Sequence, residues 1–221
     1  MSGELRQRLI DSAVAMNESS LNQGTAGNVS VRSGDGMLIT PSGMDYSELA
    51  PEDVVLINAE GHPDGRRRPS SEWRFHLDIY RQRDDAQAVV HAHPPFATTL
   101  ACLRRSIPPF HYMVAMAGGA DIRCANYETP GTQALSDRVV EALSERKACL
   151  MANHGMVCLE EGLARALNLA LEVELLARIY CQCLQLGEPV SLSDEEMERM
   201  RKVFLSYGAN AQTGGLSDSA G

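Results

Sequence analysis

The spacing of hydrophobic positions changes several times along the chain. Over residues 3–17, Leu5, Leu9, Ala13 and Met16 recur at intervals of three and four, which predicts an amphipathic helix. The glycines of LNQGTAGNVSVR end it. Short β-prone runs follow, NVSVR at 28–32 and MLIT at 37–40, and the SGDG between them reads as a hairpin turn. After the loop PSGMDYSELAPED a third strand is expected in VVLIN at 54–58, and GHPDGRRRPSS reads as a polar loop with a solvated arginine run. Ser70 or Ser71 is placed to cap a helix that begins at Glu72 and carries Trp73, Leu77 and Tyr80. AVVHAH at 88–93 reads as a buried strand.

The second half continues with PPFATTLACL as a short helix opened by proline. RRSIPPFHYMVAMAGG is expected to cross as strand or loop. A helix over about 131–146 precedes two strands, ACLMA and GMVCLE, joined at Asn153 and His154. The longest helix is expected over 162–186, with Leu163, Leu167, Ala170, Leu171, Leu175 and Ile179 on its apolar side. SLSDEEMERM supplies a capping box for a last helix, Ser193 as N-cap and Glu196 three residues on. Residues 1–208 read as one domain, and the Gly, Ser, Ala, Asn and Thr of 209–221 as a flexible tail.

Strands come in clusters rather than in strict alternation with helices. That pattern predicts an α/β fold, an αβα sandwich around a mostly antiparallel central sheet, rather than a doubly wound nucleotide fold. GTAGN lacks both the Walker lysine and the GxGxxG spacing, so no nucleotide cofactor is indicated. Composition narrows the partners. With 20 Lys and Arg against 29 Asp and Glu, the 221 residues carry a net charge of −9, which argues against nucleic acid or an anionic membrane as partner. No signal peptide or run of about 18 apolar residues is found, and a cytoplasmic location is expected. The six cysteines lack a CxxC pair and sit mostly among Ala, Leu, Met and Val, so they read as reduced core residues.

Four residues suggest a metal. His91 and His93 lie two apart on a predicted strand and therefore project from one face. His154 sits at a strand-to-strand corner, and Glu72 at a helix start. Three imidazoles and a carboxylate form a donor set for tetrahedral zinc. Each residue also has a plainer reading, a hydrogen-bonded core histidine or a carboxylate at a helix N-terminus. His62 reads as solvated, His76 as helix packing or support for a ligand, and His111 has no assigned role. Trp73 and Phe75 read as core.

Set side by side, LNQGTAGNVSVR, ITPSGMDY, PSSEWRFH, AVVHAHPPFATTLA, IPPFHYM and NHG resemble the class II aldolase/adducin family over roughly residues 5–208, within it the L-fuculose-1-phosphate aldolases and their near relatives. The resemblance implies a nine-stranded αβα sandwich in a four-fold homotetramer with active sites between subunits. It implies zinc, one divalent ion per subunit, on Glu72, His91, His93 and His154. Phosphate binding falls on Thr25, Gly27, Asn28, Ser42, Gly43, Ser70 and Ser71, whose hydroxyls, amides and backbone N–H groups can wrap a phosphate without a cation. The implied reaction is cleavage of a 1-phosphoketose, a small phosphorylated sugar, to dihydroxyacetone phosphate and an aldehyde. Glu72 would be the base, with Tyr112 as acid/base from across an interface. Tyr207 would orient the aldehyde, with Phe204 as its apolar neighbour.

One position departs from the resemblance. Pro130, in YETPGT, stands where the fuculose enzymes carry an aromatic residue, so substrates of the 5-deoxyribulose or 5-methylthioribulose 1-phosphate type become credible alternatives. Sugar-phosphate 4-epimerases on this fold have Asp where this chain has Glu72, and a methylthioribulose-phosphate dehydratase fits GTAGNVSVR and PSSEWRFH less well. A structural adducin-like head would have lost the four metal-binding residues.

Overall fold

A computed structural model describes residues 2–207, with side chains from 3 to 205. Residues 208–221, and with them the expected tail, lie outside the described residues. Helices α1 (Ser2–Glu18), α2 (Trp73–Gln82), α3 (Pro95–Cys102), α4 (Gln133–Ala142), α5 (Leu163–Leu186) and α6 (Asp194–Tyr207) accompany eight strands. These are β1 (Asn28–Ser33), β2 (Gly36–Ile39), β3 (Val55–Ile57), β4 (Pro63–Asp64), β5 (Ala88–Ala92), β6 (Arg123–Ala125), β7 (Ala148–Met151) and β8 (Gly155–Glu160). The strands form one sheet in the order β4-β3-β2-β1-β5-β8-β7-β6. Every pair is antiparallel except β6 with β7.

Alternation along the central strands splits the interior into two layers. Ala88, Val90 and Ala92 of β5, with Met156 and Cys158 of β8, face α1, α3 and α5. Val89 of β5, with Val157 and Leu159 of β8, faces α2 and α4, where Phe75, Leu77, Ile79 and Val139 complete the second core. The αβα sandwich predicted from the sequence is the observed architecture.

Several details differ from expectation. The described residues form eight strands, not nine. β4 lay inside a segment read as loop, and β6 just past the 104–119 crossing, where no element was expected; at two and three residues they are too short for periodicity to mark, and pairing with β3 and β7 makes them strands. Within that crossing, Tyr112–Ala117 is a 3-10 helix closed by Gly118 at φ 89°, a left-handed conformation suited to glycine. The helix expected from 131 starts later, with Thr132 Oγ1 accepting from Leu135 N–H as its cap. α6 begins where the capping motif placed it, Ser193 Oγ accepting from Glu196 N–H at 3.3 Å.

The apolar side of α5 needs correction. Leu171 and Leu175 are 37% and 48% exposed, and Leu167 and Ile179 are half-buried. Leu163 and Ala170 are buried as expected, and Ala166, Leu169, Val173, Leu176, Ala177 and Tyr180 complete the face turned to the core. Small side chains let the helix lie close to the sheet. Full burial of a leucine is worth about 1.5–3 kcal/mol, and Leu171 and Leu175 do not contribute that within one chain.

All six cysteines are free, but only Cys149 and Cys158 are buried; Cys102 is exposed. Arg66, Arg67 and Arg68 are exposed as expected, yet Arg66 and Arg67 both reach the Asp53 carboxylate, at 2.8 and 2.7 Å. No helix among the described residues is long and apolar enough to cross a membrane.

Candidate metal centre and active site

The site forms where α2 crosses the α2/α4 face of β1, β5 and β8. Period-two alternation sends His91 to that face beside Val89, and His93 follows just past the strand end. His154 comes from the turn between β7 and β8, where Asn153 adopts φ 55° and His154 N–H bonds Met151 C=O at 3.0 Å. Glu72 precedes α2. It occupies the N-cap position without capping, since its side chain makes no bond to the helix N–H groups. The carboxylate turns toward the histidines instead.

Each of these four residues offers one donor atom, and the four atoms lie within 4.8 Å of one another. His91 Nε2 is 3.1 Å from Glu72 Oε2, His154 Nε2 is 3.2 Å from Glu72 Oε1, and the Nε2 atoms of His91 and His93 are 2.9 Å apart. His91 Nδ1 donates to Met156 C=O at 2.9 Å, which in the neutral ring leaves Nε2 as a bare lone pair pointing at the carboxylate. Glu72 Oε1 and His154 Nδ1 are buried with no hydrogen-bond partner. Converging lone pairs with an orphaned carboxylate oxygen are what a divalent cation neutralises, and the N₃O donor set suits zinc. The residues fit the ion.

Burial alone would raise the Glu72 carboxyl, but the adjoining His91 and His154 outweigh it and hold Glu72 below the usual carboxylate range. Burial, then the neighbouring His91 and His154, pushes His93 down to about 3, so its ring is neutral and able to ligate.

Two glycines let the strands close on these ligands. A Cβ on Gly27 would lie 2.5 Å from His91 C=O, and one on Gly155 would lie 2.5 Å from Ala92 C=O and 2.6 Å from His93 Cδ2. Neither position has room for a side chain.

The three segments expected to bind phosphate are brought together beside Glu72. Thr40 N–H bonds Val29 C=O and Ser70 N–H bonds Thr40 C=O, both at 3.1 Å, while Ser42 N–H bonds Arg68 C=O at 3.0 Å. An isolated bridge between Pro41 and Pro69 thus sets the TPSG and PSSE segments antiparallel. Thr25, Ser42, Gly43 and Ser71 are exposed, and Gly43 holds φ 70° with open space around it. Ser70 is buried, and its Oγ accepts from Glu72 N–H at 3.3 Å, so it supports the ligand's backbone rather than capping α2. The loop holding Pro130 abuts this region, since a Cβ on Gly131 would meet Ser71 C=O at 3.0 Å.

Asn28 is also buried. Its side-chain Nδ2 donates to Glu72 Oε2 at 3.1 Å and its Oδ1 accepts from His76 Nε2, so the amide is committed to the carboxylate. Burial, with His91 nearby, drives His76 down to about 3, leaving that ring neutral.

Tyr112 is 45% exposed and its ring stacks on His111 and Phe204 at 4.8 and 6.3 Å. It lies on the opposite side of the sheet, on the segment whose Val114, Ala115 and Ala117 join the α1/α5 core. A single chain therefore does not bring it to Glu72. The Tyr207 side chain lies outside the described residues.

Sequence reasoning missed Tyr46, Ser30 and Tyr80 as contributors to the site. Tyr46 is 2% exposed, its hydroxyl donates to Gly27 C=O, and burial raises it to about 12. It sits within the motif ITPSGMDY, which was the available signal. Ser30 carried none.

Comparison with known proteins agrees with this geometry. The family profile described as class II aldolase and adducin N-terminal domain matches residues 7–181. The 5-methylthioribulose-1-phosphate/5-deoxyribulose-1-phosphate aldolase of Rhodospirillum rubrum is 56% identical over 94% of this chain and 94% of its own. The L-fuculose phosphate aldolase of Escherichia coli K12 is 48% identical over 93% of this chain and 96% of its own. A solved L-fuculose 1-phosphate aldolase superposes with a TM-score of 0.90 at 44% identity, covering 93% of this chain and 98% of that one. A fold, a donor set and full-length relatives that all point one way place this chain in the class II aldolase and adducin family, as one of its aldolases.

Proposed function

We propose that this chain is a zinc-dependent aldolase that cleaves a 1-phosphoketose to dihydroxyacetone phosphate and an aldehyde. The observation that carries the reading is the convergence of Glu72, His91, His93 and His154 beside three segments that present the exposed hydroxyls of Thr25, Ser42 and Ser71. Zinc held there would act as a Lewis acid that makes the carbon next to the substrate carbonyl acidic.

The protein residues do the rest. Glu72 is the base at that carbon, acting through Oε1, the oxygen that faces His154 rather than the Asn28 amide. Thr25, Gly27 and Asn28 with Ser42, Gly43, Ser70 and Ser71 hold the phosphate, and the Asn28 amide also serves Glu72. Tyr112 of a neighbouring copy moves the proton at the sugar hydroxyl as the carbon–carbon bond breaks, in a homotetramer with sites between subunits. Tyr207 and Phe204 bound the aldehyde end. The reading carries with it a role in cytoplasmic carbohydrate metabolism.

Two substrate types suit the site, a fuculose 1-phosphate-like hexulose and a pentulose 1-phosphate ending in a methyl or thioether. The 56% identity to the methylthioribulose/deoxyribulose enzyme and the absence of an aromatic ring at Pro130 favour the second.

The test is coupled detection of dihydroxyacetone phosphate from fuculose, rhamnulose, ribulose, 5-deoxyribulose and 5-methylthioribulose 1-phosphates, with zinc-loaded and chelator-treated protein. Release only in the zinc-loaded arm supports the reading, and no release from any ketose refutes it.

A further inference from the structure

β1 reads NVSVR, and the obvious inference from such alternation is that Asn28, Ser30 and Arg32 face water. They do not. Asn28 and Ser30 are 2% and 0% exposed, and all three side chains turn toward α2. There they meet Glu72, His76 and Tyr80, spaced four apart and so on one helix face. The spacings match: four residues of helix rise about 6 Å, and two residues of strand about 6.6 Å. Two rows of polar groups therefore pair off one rung at a time through otherwise apolar packing.

The bonds along these rows share a direction. Tyr80 Oη lies 2.8 Å from Ser30 Oγ, and Ser30 Oγ lies 2.7 Å from His76 Nδ1. His76 Nε2 meets Asn28 Oδ1, and Asn28 Nδ2 is 3.1 Å from Glu72 Oε2. The amide must put its NH₂ toward the carboxylate, since the opposite orientation would set two acceptors together. Asn28 Oδ1 then needs a donor, which only a proton on His76 Nε2 supplies. A neutral ring protonated at Nε2 has a bare Nδ1, so Ser30 donates to it and Tyr80 donates to Ser30. Arg32 secures the far end, its NH2 donating to the backbone C=O groups of Tyr80 and Arg83, both at 2.8 Å.

The geometry points to a positioning relay in which Tyr80, Ser30 and His76 fix the orientation of Asn28, so that Glu72 Oε2 is tethered and Oε1 alone is left to work. This rests on the aldolase reading for the role of Glu72, and on the hydrogen-bond chain for everything else. None of the three residues touches substrate, and their effect passes through Asn28.

The first measurement needs no activity. In metal-free protein labelled with 15N-histidine, His76 is assigned by the signal lost in His76→Gln, and the expected result is a neutral ring protonated at Nε2. A proton on Nδ1, or a charged ring, leaves Asn28 Oδ1 without its donor or Ser30 in the wrong role, and overturns the relay.

The second measurement compares His76→Phe, which removes the donor, with His76→Gln, which keeps an N–H at that height, both loaded with zinc to the parent's stoichiometry. Supporting groups around a metal site are typically worth 10- to 100-fold, so His76→Phe should lower kcat by about that factor with KM within twofold, and His76→Gln should recover most of it. A kcat within twofold of the parent in His76→Phe overturns the relay, as does a rise in KM at constant kcat, which would make Asn28 a substrate contact. If the parent protein releases no dihydroxyacetone phosphate, the aldolase reading falls, and the histidine spectrum still decides the hydrogen-bond chain.

Discussion

Gly155→Ala is the smallest change that should disable the metal centre without touching a ligand. The added Cβ would stand 2.6 Å from His93 Cδ2 and 2.5 Å from Ala92 C=O. Ordinary contact begins near 3.4 Å, so the ring must retreat by about 0.8 Å. The carbonyl cannot yield freely, because Ala92 is paired with Met156 in the β5–β8 ladder. Metal–ligand distances tolerate about 0.2 Å, and a displacement several times larger removes His93 from a usable position.

Two effects follow from that displacement. Overpacking at a rigid site costs about 1–3 kcal/mol, which for a chain of this size lowers Tm by about 2–12 °C. Zinc affinity should fall at least 10-fold, as it does when ligand orientation is lost. The assay is zinc competition against a chromogenic chelator, with thermal unfolding of the metal-free protein alongside. Gly162→Ala is the control, since nothing lies within 4 Å of its Cβ. If Gly155→Ala binds zinc as the parent does, the packing argument for the site is wrong.

Other consequences are as direct. Glu72→Gln keeps the shape of the side chain but removes the base, so cleavage should fall by about 10²- to 10⁴-fold while measured zinc content shows whether the metal stays; undiminished cleavage with zinc bound would end the base assignment. Tyr112→Phe should leave zinc affinity unchanged and slow cleavage, and an equal rate would remove Tyr112 from the reaction. Arg67, the Ala50 N–H and Arg66 hold the Asp53 carboxyl down to about 2. A lowered folded value contributes stability above the ordinary carboxylate range, near pH 4, and loses it as pH falls toward 2. The stability gap between the parent and Asp53→Asn should therefore be constant above about pH 4 and close below it, as followed by urea unfolding; a gap unchanged at pH 2 would contradict the pairing.

How much of this was legible in the sequence depended on the range of the interactions. Strand periodicity put His91 on a face with His93 beside it, and a capping motif located the start of α6, because both patterns are local. The relay was not legible, since its bonds join β1 to α2 across 44 to 50 positions, and Ser30 in NVSVR reads as an outward-facing strand residue until α2 covers it. The α5 face was misread for a related reason. Both sides of that helix are apolar, and its contact with the sheet selects alanine and valine rather than Leu171 and Leu175. β4 and β6 exist only because β3 and β7 lie beside them. Asn28 stood within the motif that resembles a phosphate loop, yet its amide serves the carboxylate, a role that only the partners at its two ends reveal.

The central claim is that Glu72, His91, His93 and His154 hold one zinc ion that the reaction requires. Metal-free protein titrated with zinc, with dihydroxyacetone phosphate release followed from the best ketose 1-phosphate of the panel, tests it most directly. The account predicts no release without metal and a rate that climbs linearly and breaks sharply at one zinc per chain. Full activity in the metal-free protein, or a zinc-loaded protein that releases nothing, would contradict it.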